Sequence, residues 1–67
     1  MILVNGKNYD WIKNMNIFYL LKIMGYTLKS PPVLINVNTE VIPKAQWETY
    51  TIPENAKITV INLLRGG

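Results

Sequence analysis

The sequence contains neither cysteine nor histidine, and this removes most of the side chains that carry enzyme chemistry. Without cysteine, the chain can form neither a disulfide bond nor a thiolate metal site. Without histidine, it has no Ser-His-Asp or Cys-His catalytic arrangement and no imidazole ligand for zinc. We therefore expect a protein that is not an enzyme, has no catalytic residues of its own and binds no metal.

Acidic residues and long apolar runs are also scarce. The four carboxylates are too scattered for the paired arrangement that general acid–base catalysis needs; they are Asp10, Glu40, Glu48 and Glu54. The longest uninterrupted apolar run, residues 17–21, is far shorter than the roughly 20 residues that cross a bilayer. Because the N-terminus also lacks the basic start of a signal peptide, we expect no membrane contact and a cytoplasmic location.

What is present suffices for one small folded domain. The chain has 67 residues, of which 49% are hydrophobic, and a net charge of +3. This composition predicts a globular protein rather than a disordered one. The positive charge favours an acidic protein surface or a polyanion as the partner.

The first half of the chain predicts a hairpin and then a helix. Asn5-Gly6 follows an apolar run and suits a turn in which both central residues need positive φ. Tyr9 and Trp11 then alternate with polar residues, as in a half-buried strand. A helix follows because apolar residues recur at i, i+3, i+4 and i+7; these are Ile17, Leu20, Leu21 and Met24, with Asn16 as N-cap and Gly25 as the end.

The second half predicts two strands, one helical turn and a last strand. Residues 33–37 are nearly all apolar and indicate a central, well-covered strand. Residues 40–42 form a short strand that ends at Pro43, and Trp47 is the apolar anchor of a helical turn within residues 44–50. The last strand is predicted over residues 57–64 and is apolar at both odd and even positions.

This order of elements predicts an α+β fold. A hairpin, one helix and three further strands fit a mixed sheet of four to five strands with one main helix on one face. With the first and last strands side by side and parallel in the middle, this is the ubiquitin-like β-grasp. We expect the domain to cover residues 1–61 and a flexible C-terminal tail to cover residues 62–67.

The tail carries the candidate site. The sequence ends in Leu64-Arg65-Gly66-Gly67, and six extended residues span about 20 Å, enough to enter a partner's active site. The carboxylate of Gly67 is the atom group that a partner can modify. Glycine suits this position because it has no Cβ to crowd the carbonyl and accepts any φ.

The sequence resembles the ThiS family, the sulfur carrier proteins of thiamine biosynthesis. The resemblance covers nearly the whole chain and includes the hairpin Val4-Asn5-Gly6, the helical Leu20-Leu21 and the terminal Gly66-Gly67. Its more specific part is the run of residues 37–44, Val-Asn-Thr-Glu-Val-Ile-Pro-Lys, followed by Trp47. Thr39 stands where the family usually has a turn glycine.

The resemblance implies a carrier that partner enzymes modify. A ubiquitin-activating-type (ThiF-like) adenylyltransferase would adenylate the Gly67 carboxylate with ATP and Mg, and Gly66, Arg65 and Leu64 would enter its active site. Sulfur that comes from cysteine through a desulfurase would convert the adenylate to a thiocarboxylate, which thiazole synthase (ThiG-like) would consume. No cofactor is bound by the carrier itself.

Three alternatives stay open. The small subunit of molybdopterin synthase and a ubiquitin-like protein modifier share the terminal chemistry. A basic β-grasp module that binds RNA is a hypothesis of another class, based on the positive charge and the aromatic residues. We regard nucleic acid as the less favoured partner because the lysines are not clustered in the sequence.

Overall fold

The computed structural model describes residues 1–28 and 30–63. Five strands, one helix and one 3₁₀ turn follow each other along the chain. They are β1 (Ile2–Val4), β2 (Lys7–Tyr9), α1 (Ile17–Ile23), β3 (Val33–Val37), β4 (Glu40–Ile42), the 3₁₀ turn (Lys44–Gln46) and β5 (Lys57–Asn62).

The strands form one mixed sheet in the order β2-β1-β5-β3-β4. The first and last strands, β1 and β5, are parallel neighbours, and β5 pairs on its other edge with antiparallel β3. The two edge strands, β2 and β4, are the antiparallel hairpin partners of β1 and β3. This confirms the predicted α+β, ubiquitin-like β-grasp, with β5 at the centre of the sheet.

The hairpin forms where the Asn-Gly pair predicted it, but its second strand is short. Asn5 has φ +51° and Gly6 has φ +81°, as a turn that matches the twist of the strands requires. The second strand ends at Tyr9. Trp11, expected to continue the alternation, lies half-buried after the strand and donates its indole N–H to the Ile52 carbonyl at 2.8 Å.

The helix begins and ends at the predicted residues. The Asn16 side chain accepts from the Tyr19 N–H at 2.9 Å and caps the first turn. At the other end Gly25 has φ +101° and donates to Lys22, while Tyr26 donates to Leu21. These two bonds satisfy two of the carbonyls that the end of the helix leaves free.

The core lies between the helix and one face of the sheet. The helix α1 contributes Ile17, Leu20 and Leu21 to the core. Met24 was predicted to lie on the same buried helix face, but it is only partly buried, at the edge of the core. The sheet contributes alternate residues of its strands, which are Ile2, Val4, Val33, Ile35, Val37, Ile42, Ile58 and Val60. A sheet covered on one face alone explains this alternation, since neighbouring side chains point to opposite faces.

Trp47 joins the 3₁₀ segment to the helix and to β4. It is 1% exposed, its indole N–H donates to the Ile42 carbonyl at 3.0 Å, and Phe18 meets its ring edge-on at 6.1 Å. The predicted anchor is therefore confirmed. Three residues further on, burial and, to a lesser degree, the charge of Glu40 raise the pKa of the Tyr50 hydroxyl above its ordinary value.

Neither a membrane span nor a metal cluster is found in the described part of the chain. None of its helices has the length and apolar character that crossing a bilayer requires. No group of three or more histidine, cysteine or acidic residues comes together among residues 1–28 and 30–63.

Candidate functional site

The central strand leads directly toward the predicted tail. β5 runs through Asn62, one residue past the expected limit of the domain, and pairs there with Val33. Leu63 still donates its N–H to the Pro32 carbonyl at 2.9 Å. The predicted site residues Leu64, Arg65, Gly66 and Gly67 lie outside the described residues, and so their role stays a prediction.

One face of the sheet is open beside the end of β5. Ile58 and Val60 point into the core, and so Thr59 and Ile61 point to the other face. Ile61 lies opposite Leu34, and Thr59 lies opposite Asn36. Asn36 in turn lies opposite Val41 of β4. These residues share a face that the helix does not cover.

Apolar side chains on this face come from β3, β4 and the end of β5. These side chains, which we call the open-face patch, are Leu34, Val41, Ile61 and Leu63. Val41, Ile61 and Leu63 are 49%, 45% and 58% exposed, while Leu34 is half-buried between its neighbours. Exposed apolar residues that adjoin one another mark surfaces that bind other proteins. The patch is therefore the candidate docking surface of this molecule, and it lies beside the end of β5.

Polar side chains of the open face lie beside the patch. A shallow cavity of about 470 Å³ is lined by Asn36, Asn38, Thr39, Lys57 and Thr59. At the border with the patch, the Oδ1 atom of Asn36 is buried and has no hydrogen-bond partner among the described residues. An unpaired buried polar group costs about 1–3 kcal/mol, and so we expect the Asn36 amide to lower the stability of the fold.

Replacing Asn36 by valine is therefore expected to stabilise the fold. Asn36→Val removes the unpaired amide and places a β-branched side chain on a strand, where such residues fit well. We expect a gain of about 1 kcal/mol, which raises the melting temperature of a domain this small by about 4–8 °C. Thermal and urea denaturation measure both, with Thr59→Val as the control on the same face. A variant no more stable than the wild type would contradict the prediction.

Sequence reasoning missed the open-face patch for a local reason. The apolar run of residues 33–37 predicts a central, well-covered strand; β3 does lie between β5 and β4, but its Leu34 and Asn36 lie on the open face. The polar residue within that run was the available signal, because an asparagine is seldom placed in a fully buried strand. The contribution of Val41 could not be foreseen, since it depends on the pairing of β4.

The described lysines lie on different elements rather than along one of them. Lys7 approaches the Tyr9 ring at 5.7 Å and Lys44 approaches the Trp47 ring at the same distance. The other described lysines are exposed on α1, on β5 and in the loop before the helix. This arrangement gives the RNA hypothesis no further support.

Comparison with known proteins places the chain in a family. The sequence profile of the ThiS family matches residues 2–67. The crystal structure of thiamine biosynthesis protein ThiS from Geobacter metallireducens superposes with a TM-score of 0.74 at 20% identity, over 98% of this chain and 97% of that one. No curated protein matches the sequence. The structural likeness shows a shared fold, and the match over residues 2–67 shows that this chain belongs to the ThiS family.

Proposed function

We propose that this protein is a sulfur carrier in thiamine biosynthesis, whose Gly67 carboxylate is converted to a thiocarboxylate for thiazole formation. The observation that carries the proposal is the ThiS family match, which extends to the terminal glycines. The fold is consistent with it, because the central strand of the sheet leads to the tail and the open-face patch adjoins that strand. The carrier works as a substrate of partner enzymes, in the cytoplasm.

The chemistry begins with a carboxylate that reacts poorly by itself. The C-terminal carboxyl group is ionised at neutral pH, since its reference pKa is about 3.3–3.7. Attack of a carboxylate oxygen on the α-phosphorus of ATP gives an acyl-adenylate and releases pyrophosphate. A persulfide sulfur supplied through the desulfurase then attacks the activated carbonyl carbon, and AMP leaves. A thiol reduces the resulting acyl disulfide, which releases the thiocarboxylate and forms a new disulfide.

The partner enzymes supply what this chain lacks. A ubiquitin-activating-type adenylyltransferase provides Mg²⁺ and the groups that stabilise the developing charge on the phosphate. The sulfur derives from cysteine through a desulfurase, and thiazole synthase accepts it from the thiocarboxylate. The carrier contributes the terminal carboxyl group of Gly67. The preceding residues, Leu64, Arg65 and Gly66, enter the partner's active site and bring this group to the reacting atoms.

The open-face patch is the surface on which we expect the adenylyltransferase to dock. Its apolar side chains lie on the open face around the end of β5, and so docking there brings the enzyme close to the start of the tail. Burial of apolar side chains on binding is favourable by about 25 cal/mol per Å² of apolar surface, and the core of an interface is depleted of charged residues. The polar side chains of the open face, which include Lys57, then lie at the rim of the interface, where they face polar groups of the enzyme.

Mass spectrometry tests the proposed function. The protein is incubated with the adenylyltransferase, ATP, Mg²⁺ and a cysteine desulfurase with its substrate. We expect the C-terminal peptide to gain the mass of one oxygen-to-sulfur exchange, and the product to support thiazole formation by the synthase. Unmodified protein would overturn the proposal. Sulfur transfer to a molybdopterin precursor, or isopeptide conjugates in cell extracts, would identify another ubiquitin-like carrier or modifier.

A charge on the open-face patch is expected to weaken docking. Ile61→Asp places a carboxylate among apolar side chains that the partner would bury, and truncating or disrupting such a contact costs about 2 kcal/mol or more. We expect the Kd for the adenylyltransferase to rise by about 30-fold or more, measured by titration calorimetry. Ile12→Asp is the matched control, because Ile12 is 46% exposed but precedes the helix. Equal effects of the two variants would argue against docking on the open face.

A further inference from the structure

The Asn5 side chain makes a contact that the hairpin turn does not require. Its Oδ1 accepts from the Val60 N–H at 2.9 Å, and its Nδ2 donates to the Val60 carbonyl at 3.2 Å. One side-chain amide thereby pairs with both backbone groups of a residue that is 55 positions away. Glycine would satisfy the positive φ of this turn position equally well, and so the turn alone does not explain the amide.

The two bonds extend the pairing of β5 beyond the end of β1. The backbone pairing on this edge includes Leu3 donating to Ala56 and Asn5 donating to Ile58, each at 3.0 Å, and its residue pairs end at Val4 and Ile58. The chain then turns away at Asn5-Gly6. The amide of Asn5 occupies the place where a further β1 residue would pair with Val60.

This contact is the last hydrogen bond found on the β1 edge of β5 among the described residues. On the opposite edge, β3 continues to pair with β5 as far as Asn62, and Leu63 bonds to Pro32. Beyond Val60 the strand is thus held on one edge, apart from a contact of 3.5 Å between the Tyr26 hydroxyl and the Asn62 side chain. The direction in which β5 leaves the sheet depends on where it stops being held on both edges.

We propose that Asn5 is a positioning residue for the C-terminal tail: its amide fixes Val60 and so sets the direction in which β5 delivers the terminal carboxylate. Residues 61–67 can span up to about 25 Å when extended. A small rotation of the strand at Val60 therefore changes the position and direction from which the tail starts. The consequence for the carboxylate rests on the proposed function, whereas the effect on β5 does not.

The test compares two asparagines in the same backbone conformation. Asn5→Gly removes both bonds to Val60 and keeps a residue that accepts φ +51°. Asn14→Gly is the matched control, because Asn14 has φ +68° and its side chain makes no hydrogen bond within residues 1–28 and 30–63. Both variants are studied at a temperature where circular dichroism shows them fully folded.

Nuclear magnetic resonance measures the effect on β5 without a partner enzyme. In Asn5→Gly we expect the Val60 amide to exchange with solvent about tenfold faster or more, relative to the Ile58 amide, as the loss of hydrogen bonding predicts. We also expect the residual dipolar couplings of the Ile61, Asn62 and Leu63 amides to change. Asn14→Gly should leave both unchanged. If Asn5→Gly behaves like the control, Asn5 does not position the strand and the proposal is wrong.

Adenylation kinetics measure the effect on the carboxylate. We expect Asn5→Gly to lower kcat by about tenfold with KM little changed, since misplacing a reacting group by about 1 Å costs up to about 100-fold. A residue of merely structural importance would leave kcat unaltered in the folded variant, and that result would overturn the positioning role. If the wild type itself forms no adenylate, the proposed function fails, while the NMR measurements still decide whether Asn5 directs β5.

Discussion

Deleting Gly66 and Gly67 is expected to abolish formation of the acyl-adenylate and the thiocarboxylate. The deletion shortens the extended reach of the tail by about 7 Å, and a displacement of only about 1 Å from the reactive geometry already costs up to about 100-fold in rate. We therefore expect a loss of at least about 100-fold in the rate of ATP–pyrophosphate exchange, together with no gain of sulfur by mass spectrometry.

The same deletion should leave the folded domain intact. Among the described residues, every buried apolar side chain lies between Ile2 and Val60, and so the melting temperature should match that of the wild type. Gly67→Ala serves as the control of equal length, because it keeps the reach and adds a Cβ beside the carbonyl. Thiocarboxylate formation by the protein that lacks both glycines would show that another group carries the sulfur.

Replacing Trp47 by alanine is expected to have the largest effect on stability. Trp47 is buried, donates to Ile42 and contacts Phe18, and its backbone carbonyl accepts from Ile17 at the start of the helix at 3.2 Å. Truncating a buried tryptophan costs about 3–5 kcal/mol, which is a large part of the total stability of a domain of this size. The expected fall in melting temperature is about 12–40 °C, measured by circular dichroism.

Trp11→Ala is the control for this prediction. Trp11 also donates its indole N–H to a backbone carbonyl, but its ring is only half-buried at the edge of the core. The comparison thus separates burial of the ring from loss of the hydrogen bond, and Trp11→Ala should cost clearly less. Equal losses in the two variants would show that Trp47 is not the principal anchor of the 3₁₀ segment.

The local elements of this fold could be predicted from a few residues. Asn5-Gly6 indicated the hairpin turn, and Asn16 and Gly25 indicated the two ends of the helix. These features are local because caps and turns depend on the φ preferences and hydrogen bonds of single residues. The spacing of Ile17, Leu20 and Leu21 identified the buried helix face for a similarly local reason. The terminal glycines and the run before Trp47 indicated the family.

The open-face patch and the contact of Asn5 with Val60 were decided by the tertiary structure alone. Leu34, Val41 and Ile61 come from three strands, and which of their side chains share a face depends on strand order and register. The Asn5 amide reaches Val60 only because β1 and β5 lie side by side. Sequence patterns report local conformation, whereas these surfaces arise from pairings between distant segments, which become favourable only when the whole core forms.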